Sequence, residues 1–144
     1  MFVRKFFLLA DDDNDDAELF AEALTATGTR VDFFRVEDSL ELFKFLSGTQ
    51  NRKPDIIFLD INMPPISGWQ CLTKIKNDDD YKNIPVVMYS TSSYSCDKDI
   101  AIELGALGFL TKPSNFKILV EILGRIANTE IRNLKKVLHE ITTH

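Results

Sequence analysis

The stretch Phe6-Phe7-Leu8-Leu9-Ala10-Asp11-Asp12 decides the fold, because it is an apolar run of strand length that stops abruptly on two acids. A second run, Ile56-Ile57-Phe58-Leu59, stops in the same way on Asp60. Short, continuous apolar runs are typical of strands that are buried on both faces of a sheet. A charge that directly follows such a strand lies at the rim of the sheet, where open α/β folds bind ligands. The sequence therefore predicts a polar site beside these two strand ends.

Strand-like and helix-like segments alternate along the chain. We predict strands at about residues 4–10, 31–36, 55–60, 84–90 and 107–111. After each of them, apolar residues recur every three or four positions, which predicts an amphipathic helix. Parallel strands need crossovers, and helices supply them, so this alternation predicts a parallel sheet with helices on both faces. The predicted fold class is α/β, a flavodoxin-like doubly wound sheet of five parallel strands in the order 2-1-3-4-5 with five flanking helices in one domain.

Length, charge and cysteine content narrow the class of protein. A chain of 144 residues with 44% hydrophobic content fits one globular domain, which we place at residues 1–128. The net charge of −5 and the lack of clustered Lys and Arg argue against direct nucleic-acid binding. Cys71 and Cys96 lack CxxC spacing, and the sequence has no signal-like start and no apolar span of about 20 residues. We therefore expect a reducing, cytoplasmic setting and no membrane partner.

The C-terminal tail, residues 129–144, is predicted to be an addition to this domain. Its apolar residues share one helical stripe, formed by Ile131, Leu134, Leu138 and Ile141. The stripe predicts that the tail extends the last helix or forms a short helix of its own. Its apolar face either packs back on the domain or serves a dimer or a partner protein.

Three carboxylates are predicted to meet where the first and third strands end, because these strands are neighbours in the predicted order. Two like charges about 4 Å apart repel by on the order of 4 kcal/mol at an effective dielectric constant near 20. Asp11, Asp12 and Asp60 therefore need a cation, and oxygen ligands with room for water suit Mg²⁺. The alternative is that the first two acids belong only to an acidic helix N-terminus, stabilised by the helix dipole. For Asp15 and Asp16, in the same acidic run, we take that second interpretation.

An amine and a hydroxyl are predicted at two further strand ends. Lys112 follows the fifth predicted strand, and Ser90 ends the fourth. A carboxylate beside Mg²⁺, an ammonium and a hydroxyl is arranged to attack a phosphoryl group, because the cations neutralise charge on its oxygens during transfer. This combination predicts formation of an aspartyl phosphate. Asp60 is the best candidate nucleophile, because it stands alone on its strand while the adjacent acids of the first strand can share the metal.

Five short motifs follow one another along the chain at these strand ends. They read Ala10-Asp11-Asp12, Leu59-Asp60-Ile61-Asn62-Met63-Pro64 with Gly68, Tyr89-Ser90-Thr91, Gly105-Ala106, and Lys112-Pro113. Together they resemble the receiver domain of two-component response regulators, of the CheY-like, stand-alone type, over about residues 4–127. The acidic run that continues through Asp16 is similar to that of regulators found with bacterial phytochrome-type sensor kinases.

The resemblance implies a function in phosphorelay signal transduction. Asp60 would accept a phosphoryl group from a sensor histidine kinase or a histidine phosphotransfer protein, with Mg²⁺ as the cofactor. The metal would be held by Asp12, Asp60 and the backbone carbonyl of Asn62, and Asp11 would act on it largely through water. Such receivers catalyse their own phosphorylation and dephosphorylation, so we expect a phosphoprotein and not an enzyme with a separate substrate.

The resemblance also implies how the signal is read. Ser90 would be the switch hydroxyl, Phe109 the switch aromatic residue and Lys112 the lysine that pairs with the phosphate. The Lys112–Pro113 bond is expected to be cis, since proline is the usual site of cis bonds. Phosphorylation would change the surface of the fourth helix, fifth strand and fifth helix toward an unknown downstream protein or a phosphorylation-dependent homodimer. Ser90 and Phe109 stand where threonine and tyrosine are commoner, so a readout through the phenol hydroxyl is lost.

Three other classes of protein share parts of this pattern. An enzyme of the haloacid-dehalogenase type has a DxD after its first strand, as Asp11-Asp12-Asp13 does here, but it leaves Asp60 unexplained. A pseudo-receiver, a binding module that takes no phosphate, would lack one of the acids or the lysine, and all are present. A flavodoxin-like FMN protein needs a phosphate-binding loop where this chain has an acidic cluster. A receiver is the interpretation that uses every motif.

Overall fold

The strand ends picked out by the sequence all lie on one parallel sheet. Its strands are β1 (Lys5–Ala10), β2 (Val31–Val36), β3 (Ile56–Leu59), β4 (Val86–Ser90) and β5 (Gly108–Thr111). In the computed structural model, which describes residues 4–92 and 94–142, the strand order is β2-β1-β3-β4-β5. The predicted doubly wound fold is therefore confirmed, and each strand begins and ends within two residues of its predicted bounds.

Helices cover both faces of this sheet. They are α1 (Asn14–Ala26), α2 (Ser39–Ser47), α3 (Gly68–Lys76), α4 (Ser95–Glu103), α5 (Phe116–Ala127) and α6 (Leu134–Thr142), the last preceded by a 3-10 turn at Ile131–Asn133. Helix α4 begins before the predicted apolar segment at Ile100, because its first turn is polar and carries no apolar periodicity. None of the helices in the described ranges is long and apolar enough to cross a membrane.

The sheet separates two apolar cores, because side chains alternate between the two faces of each strand. Phe7 and Leu9 of β1 contribute to the core beneath α1 and α5. Leu8 and Ala10 contribute to the opposite core beneath α2 and α3. The central strand β3 is buried at every residue, so both cores fix the position of the end from which Asp60 projects.

The register of β1 against β3 brings the acidic strand ends together. Ala10 lies opposite Leu59, and the Asp60 N–H donates to the Ala10 carbonyl across 3.0 Å. On the other side of β1, the Asp11 N–H donates to the Val36 carbonyl across 3.1 Å. The sheet itself thus holds the backbones of Asp11 and Asp60 at adjacent points of its C-terminal rim.

Helix α6, in the tail, packs on the edge strand β5. Leu138 is buried in the same core as α5, and a Cβ on Gly108 would lie 2.9 Å from Leu138 Cδ1, so the glycine permits this close packing. An ion pair of 2.8 Å between Arg125 Nη2 and Glu140 Oε2 joins α5 to α6. The tail therefore forms a separate short helix that packs back on the domain and shields an edge of the sheet. Residues 143–144 of the predicted tail lie outside the described ranges.

The Lys112–Pro113 peptide bond is not cis, so that expectation was wrong. Among the described residues, the cis bond is Pro64–Pro65, in the loop that follows β3. The trans preference of a bond that precedes proline is only about 0.5–1 kcal/mol. Residue type therefore allows either isomer, and the contacts made by the folded chain decide between them.

The docking of α6 predicts that Leu138→Ala lowers the free energy of unfolding by about 2–4 kcal/mol, because a leucine side chain in a closed core leaves a cavity when truncated. Leu138 is 1% exposed. Lys136→Ala is the matched control, since Lys136 lies on the exposed side of the same helix and should change stability by less than about 0.5 kcal/mol. Urea denaturation followed by circular dichroism measures both. Equal stability of the two variants would show that α6 is not docked in solution.

Candidate functional site at the sheet rim

Asp11 is fixed at the end of β1 by contacts to both its backbone and its side chain. Its carbonyl accepts hydrogen bonds from Arg35 Nε and Nη2 at 3.0 and 2.9 Å, and its Oδ1 accepts from the Asp13 N–H at 3.0 Å. The residue is fully buried. Its other oxygen, Oδ2, is also buried and has no hydrogen-bond partner within the described chain. Asp11 therefore presents to the rim a buried carboxylate oxygen whose neighbour there is the Lys112 ammonium, 2.8 Å away.

The position of Asp60 depends on Gly68, the first residue of α3. The Gly68 N–H donates to the Ile61 carbonyl across 2.6 Å. A Cβ on Gly68 would lie only 2.0 Å from the carbonyl oxygen of Asp60, so no side chain fits between the helix and the strand end. Gly68, eight residues after Asp60, thus allows the backbone of α3 to lie directly against the backbone of Asp60.

Ser39 anchors the loop between β3 and α3, and sequence reasoning missed it. It is almost fully buried, its Oγ donates to the Pro64 carbonyl at 3.0 Å, and the same Oγ accepts from the Ile66 N–H at 3.2 Å. Ser39 is the polar member of the buried stripe of α2, three and seven residues before Leu42 and Leu46. A serine in an apolar helical stripe could have indicated a buried hydroxyl that binds a neighbouring loop.

The three predicted carboxylates come together as expected. One oxygen each of Asp11, Asp12 and Asp60 lie within 4.8 Å of one another. Asp12 is exposed, while Asp60 is 6% exposed, so one side of the cluster is open to solvent. Their all-oxygen donor set, which includes the buried Asp11 Oδ2, fits a hard divalent cation. Asn62 lies in the loop just after Asp60, where its backbone is close to the cluster.

Lys112 reaches the same cluster from the end of β5. Its Nζ lies 2.8 Å from Asp11 Oδ2, 2.8 Å from Asp16 Oδ2 and 3.6 Å from Asp60 Oδ2. The predicted lysine is thus brought to the predicted acids. Asp16 lies in the first turn of α1, as its sequence predicted, and its carboxylate in addition pairs with Lys112, a residue that is distant in sequence.

Ser90 and Phe109, the predicted switch residues, lie at the end of β4 and within β5. Ser90 ends β4, is 2% exposed, and its Oγ accepts from the Ser92 N–H at 3.4 Å. Its carbonyl accepts from the Lys112 N–H at 2.6 Å, which ties the ends of β4 and β5 together. Phe109 is buried in the core on the side of α4, in the same cluster as Ala101. The hydroxyl therefore lies at the rim and the aromatic ring lies under α4.

Comparison with known proteins identifies the family of this chain. The family model of the response regulator receiver domain matches residues 7–124. The chain belongs to this family. Response regulator Rcp1 of Synechocystis sp. is 32% identical over 123 residues, which cover 83% of this chain and 84% of Rcp1. The predicted family resemblance is therefore confirmed, and the haloacid-dehalogenase and FMN-protein alternatives are set aside.

Two solved structures are similar to this receiver over most of their length. The crystal structure of the Mn²⁺-bound form of Rcp1 matches with a TM-score of 0.75 at 32% identity, covering 85% of this chain and 91% of that one. The crystal structure of the phosphorylated cyanobacterial phytochrome response regulator RcpA matches with a TM-score of 0.77 at 32% identity, covering 86% and 91%. This receiver thus has the same CheY-like fold as these two proteins, and its sequence is 32% identical to each.

Burial and repulsion act together on the Asp60 carboxyl of this receiver. Removal from water raises the pKa of Asp60, the Lys112 ammonium lowers it, and the Asp11 carboxylate raises it further. The net result is a pKa of about 7. A backbone hydrogen bond from Asn62 also lowers this pKa. Lys112 compensates only in part, because its ammonium is closer to Asp11 and Asp16 than to Asp60.

Lys112 itself remains charged in this setting. Burial lowers the pKa of Lys112, but the Asp11 and Asp16 carboxylates beside the ammonium and the charge of Asp60 outweigh burial, so the pKa lies above its ordinary value. The ammonium is therefore available to the site at every physiological pH.

The raised pKa of Asp60 predicts that this group destabilises the receiver as pH rises in the absence of metal. In the unfolded chain Asp60 titrates near 3.8, so between about pH 4 and pH 7 the folded state binds more protons than the unfolded state. The contribution of this group to stability is therefore present below about pH 4 and is lost as pH rises through about 7.

Asp60→Asn should accordingly raise the free energy of unfolding by about 1–2 kcal/mol at pH 8, after allowance for solvent screening at the rim, and by much less at pH 4. Urea denaturation in EDTA measures this difference. Asp15→Asn, which removes an exposed charge nearby, is the control for a general effect of charge. A stabilisation by Asp60→Asn that is equal at both pH values would contradict the assigned pKa.

The close approach at Gly68 predicts a second stability effect. Gly68→Ala should lower the free energy of unfolding by about 2 kcal/mol or more, because the new methyl group must displace the backbone of Asp60. Gly124→Ala in α5 is the control: its Cβ would meet Thr27 at 3.7 Å, an ordinary contact, so alanine should stabilise by about 0.5–1 kcal/mol. Thermal unfolding of both variants checks the prediction, and a neutral Gly68→Ala would refute it.

Proposed function

We propose that this receiver accepts a phosphoryl group on Asp60 from a sensor histidine kinase or a histidine phosphotransfer protein. The observation that carries this proposal is the convergence of Lys112 on Asp11 and Asp60, beside a cluster of three carboxylates. These groups come from three different strand ends, and the sheet register holds the two acidic ends side by side. Such a set provides a nucleophile, cation ligands and a charge for the transferred oxygens.

The proposed reaction transfers a phosphoryl group between a nitrogen and an oxygen. One carboxylate oxygen of Asp60 forms a bond to phosphorus while the bond from phosphorus to the imidazole nitrogen of the donor breaks. The freed nitrogen takes up one proton, and Asp60 becomes an aspartyl phosphate. Catalysis is mostly positioning and charge stabilisation, since this transfer requires little covalent chemistry from the protein.

The metal ion of the proposed site is Mg²⁺. Asp12, Asp60 and the backbone carbonyl of Asn62 would hold it, and Asp11 would act on it through water. When bound, the ion supplies positive charge that offsets the crowded carboxylates and the phosphoryl oxygens. The Mn²⁺-bound form of the similar protein Rcp1 supports a divalent cation in this family.

Lys112 and Ser90 would contact the transferred group. The Lys112 ammonium lies 2.8 Å from Asp11 and Asp16 and 3.6 Å from Asp60, so it would have to move only a short way to contact a phosphoryl group on Asp60. The Ser90 hydroxyl is a donor at the neighbouring strand end. The receiver would then catalyse its own phosphorylation and dephosphorylation with these residues, without a separate substrate. The similar protein RcpA has a crystal structure in its phosphorylated form, which supports phosphorylation of this receiver as well.

The signal would leave the site through Ser90 and Phe109. An aspartyl phosphate adds strong acceptors and up to two negative charges at the rim. Movement of Ser90 toward them would open space that the Phe109 ring can fill, and this would shift the population of arrangements of α4, β5 and α5. The output is then contact with a downstream protein or with a second copy of the chain.

The acceptor assignment predicts the outcome of incubation with acetyl phosphate and Mg²⁺. Wild-type protein and Asp15→Asn should gain one phosphoryl group by intact mass, and Asp60→Asn should gain none, because its amide cannot attack phosphorus. Addition of EDTA before the phosphodonor should slow labelling by about tenfold or more. Phosphorylation of Asp60→Asn would show that another residue is the acceptor. Wild-type protein that gains no phosphoryl group would favour a pseudo-receiver.

A further inference from the structure

Lys112 is held in part by an acid that the phosphoryl-accepting site does not require. Its Nζ lies 2.8 Å from Asp16 Oδ2 in a hydrogen bond, and 3.6 Å from Asp60 Oδ2, beyond hydrogen-bond distance. Asp11 Oδ2 is also 2.8 Å away, but without hydrogen-bond geometry. In this structure the ammonium is therefore drawn toward α1 and away from the acceptor on β3.

The way α1 begins explains why Asp16 is available for this contact. Asp13 caps the helix by accepting from the Asp16 N–H at 3.0 Å. In a capping box, the side chain at the position of Asp16 would return to the backbone N–H of the cap residue. That N–H is already bonded to Asp11 Oδ1 at 3.0 Å, so the Asp16 carboxylate can bind Lys112, which lies 96 residues further along the chain.

The helix dipole does not account for the contact. Asp15 precedes Asp16 in the same first turn and gains the same benefit from the dipole. Asp15 is exposed, and its side chain has no ion pair in the part of the chain that the structure describes, whereas Asp16 is partly buried against Lys112. The difference between the two acids is thus their relation to the lysine and not their charge.

Few other positions are open to the Lys112 ammonium. The lysine side chain is 9% exposed, and the ring of the buried Tyr89 lies 5.5 Å from Nζ. The ammonium can therefore shift chiefly along the line between the acid of α1 and the acceptor of β3. A shift toward Asp60 requires the hydrogen bond to Asp16 to lengthen or break.

We propose that Asp16 is a positioning residue that competes with Asp60 for Lys112 and thereby weakens the hold of the site on a phosphoryl group. The inference rests on the proposed function, in which Lys112 pairs with the phosphoryl oxygens on Asp60. With Asp16 ionised, that pairing replaces an existing ion pair. With a neutral residue at this position, the lysine moves to the phosphoryl group without that loss.

The test measures binding of beryllofluoride, a phosphoryl analogue, in the presence of Mg²⁺. Trp69 borders the groove beside Asn62 and is the single tryptophan of the chain, so its fluorescence reports binding. Asp16→Asn should bind beryllofluoride about 1.5- to fivefold more tightly than wild type, the range expected for a partly exposed ion pair. Asp16→Glu, which keeps the charge, should return toward wild type.

Asp15→Asn separates competition for Lys112 from a general effect of charge. It removes the same charge one residue away, so long-range electrostatics should affect both variants similarly. The proposal requires that Asp15→Asn binds beryllofluoride with wild-type affinity. Equal tightening in both variants, or unchanged or weaker binding in Asp16→Asn, would overturn it.

A second measurement tests the contact without metal or analogue. In EDTA, Asp16→Asn should shift the NMR resonances of the Lys112 side chain and the Asp60 carboxyl, while Asp15→Asn should shift neither. Unshifted Lys112 resonances would overturn the proposal whatever the affinities. Wild-type protein that binds no beryllofluoride would instead refute the proposed function, and the metal-free spectra would still show whether Asp16 holds the lysine.

Discussion

Crowding of carboxylates at one sheet rim is the constraint on which the rest of this receiver depends. Oxygens of Asp11, Asp12 and Asp60 lie within 4.8 Å of one another, and two of these acids are buried. Their backbones cannot separate, because the sheet hydrogen bonds at Ala10 fix them and Gly68 closes the space behind Asp60. Repulsion is therefore relieved by cations or by protonation of Asp60, and not by relaxation of the fold. The charge balance of the site therefore depends on Lys112, on a divalent ion and on which carboxylates these cations contact.

The two sides of the site differ in how firmly they are held. Helix α3 begins with a capping box between Ser67 and Gln70, buries four residues, and its preceding loop is bonded to Ser39. Helix α4 begins at Ser95, its cap residue Tyr94 makes no side-chain cap, and it buries only Ala101 of its described residues. Few buried contacts mean a low free energy of local rearrangement. Helix α3, on the acceptor side, is thus anchored by more buried contacts than α4, which follows Ser90.

Sequence reasoning succeeded where chemistry follows directly from the end of a buried strand. The run that stops at Asp60, and the lysine after β5, predict both the sheet and the meeting of their side chains, because parallel strands present the same ends to one rim. Asp16 and Ser39 escaped this reasoning, since their roles depend on contacts from helices to residues that are distant in sequence. The isomer at Pro113 escaped it because residue type leaves both isomers accessible.

Strand β5 links the site to the helix in the tail. Phe109 faces the core beneath α4, and consecutive strand residues point to opposite faces, so Gly108 faces α6. A Cβ on Gly108 would lie 2.9 Å from Leu138 Cδ1, so β5 and α6 pack closely and a shift of the β5 backbone here would be transmitted to α6. A groove of about 310 Å³ separates α4 from α6 beside this strand. A partner that reads α4 and β5 in this receiver therefore has to contact α6 as well, or displace it.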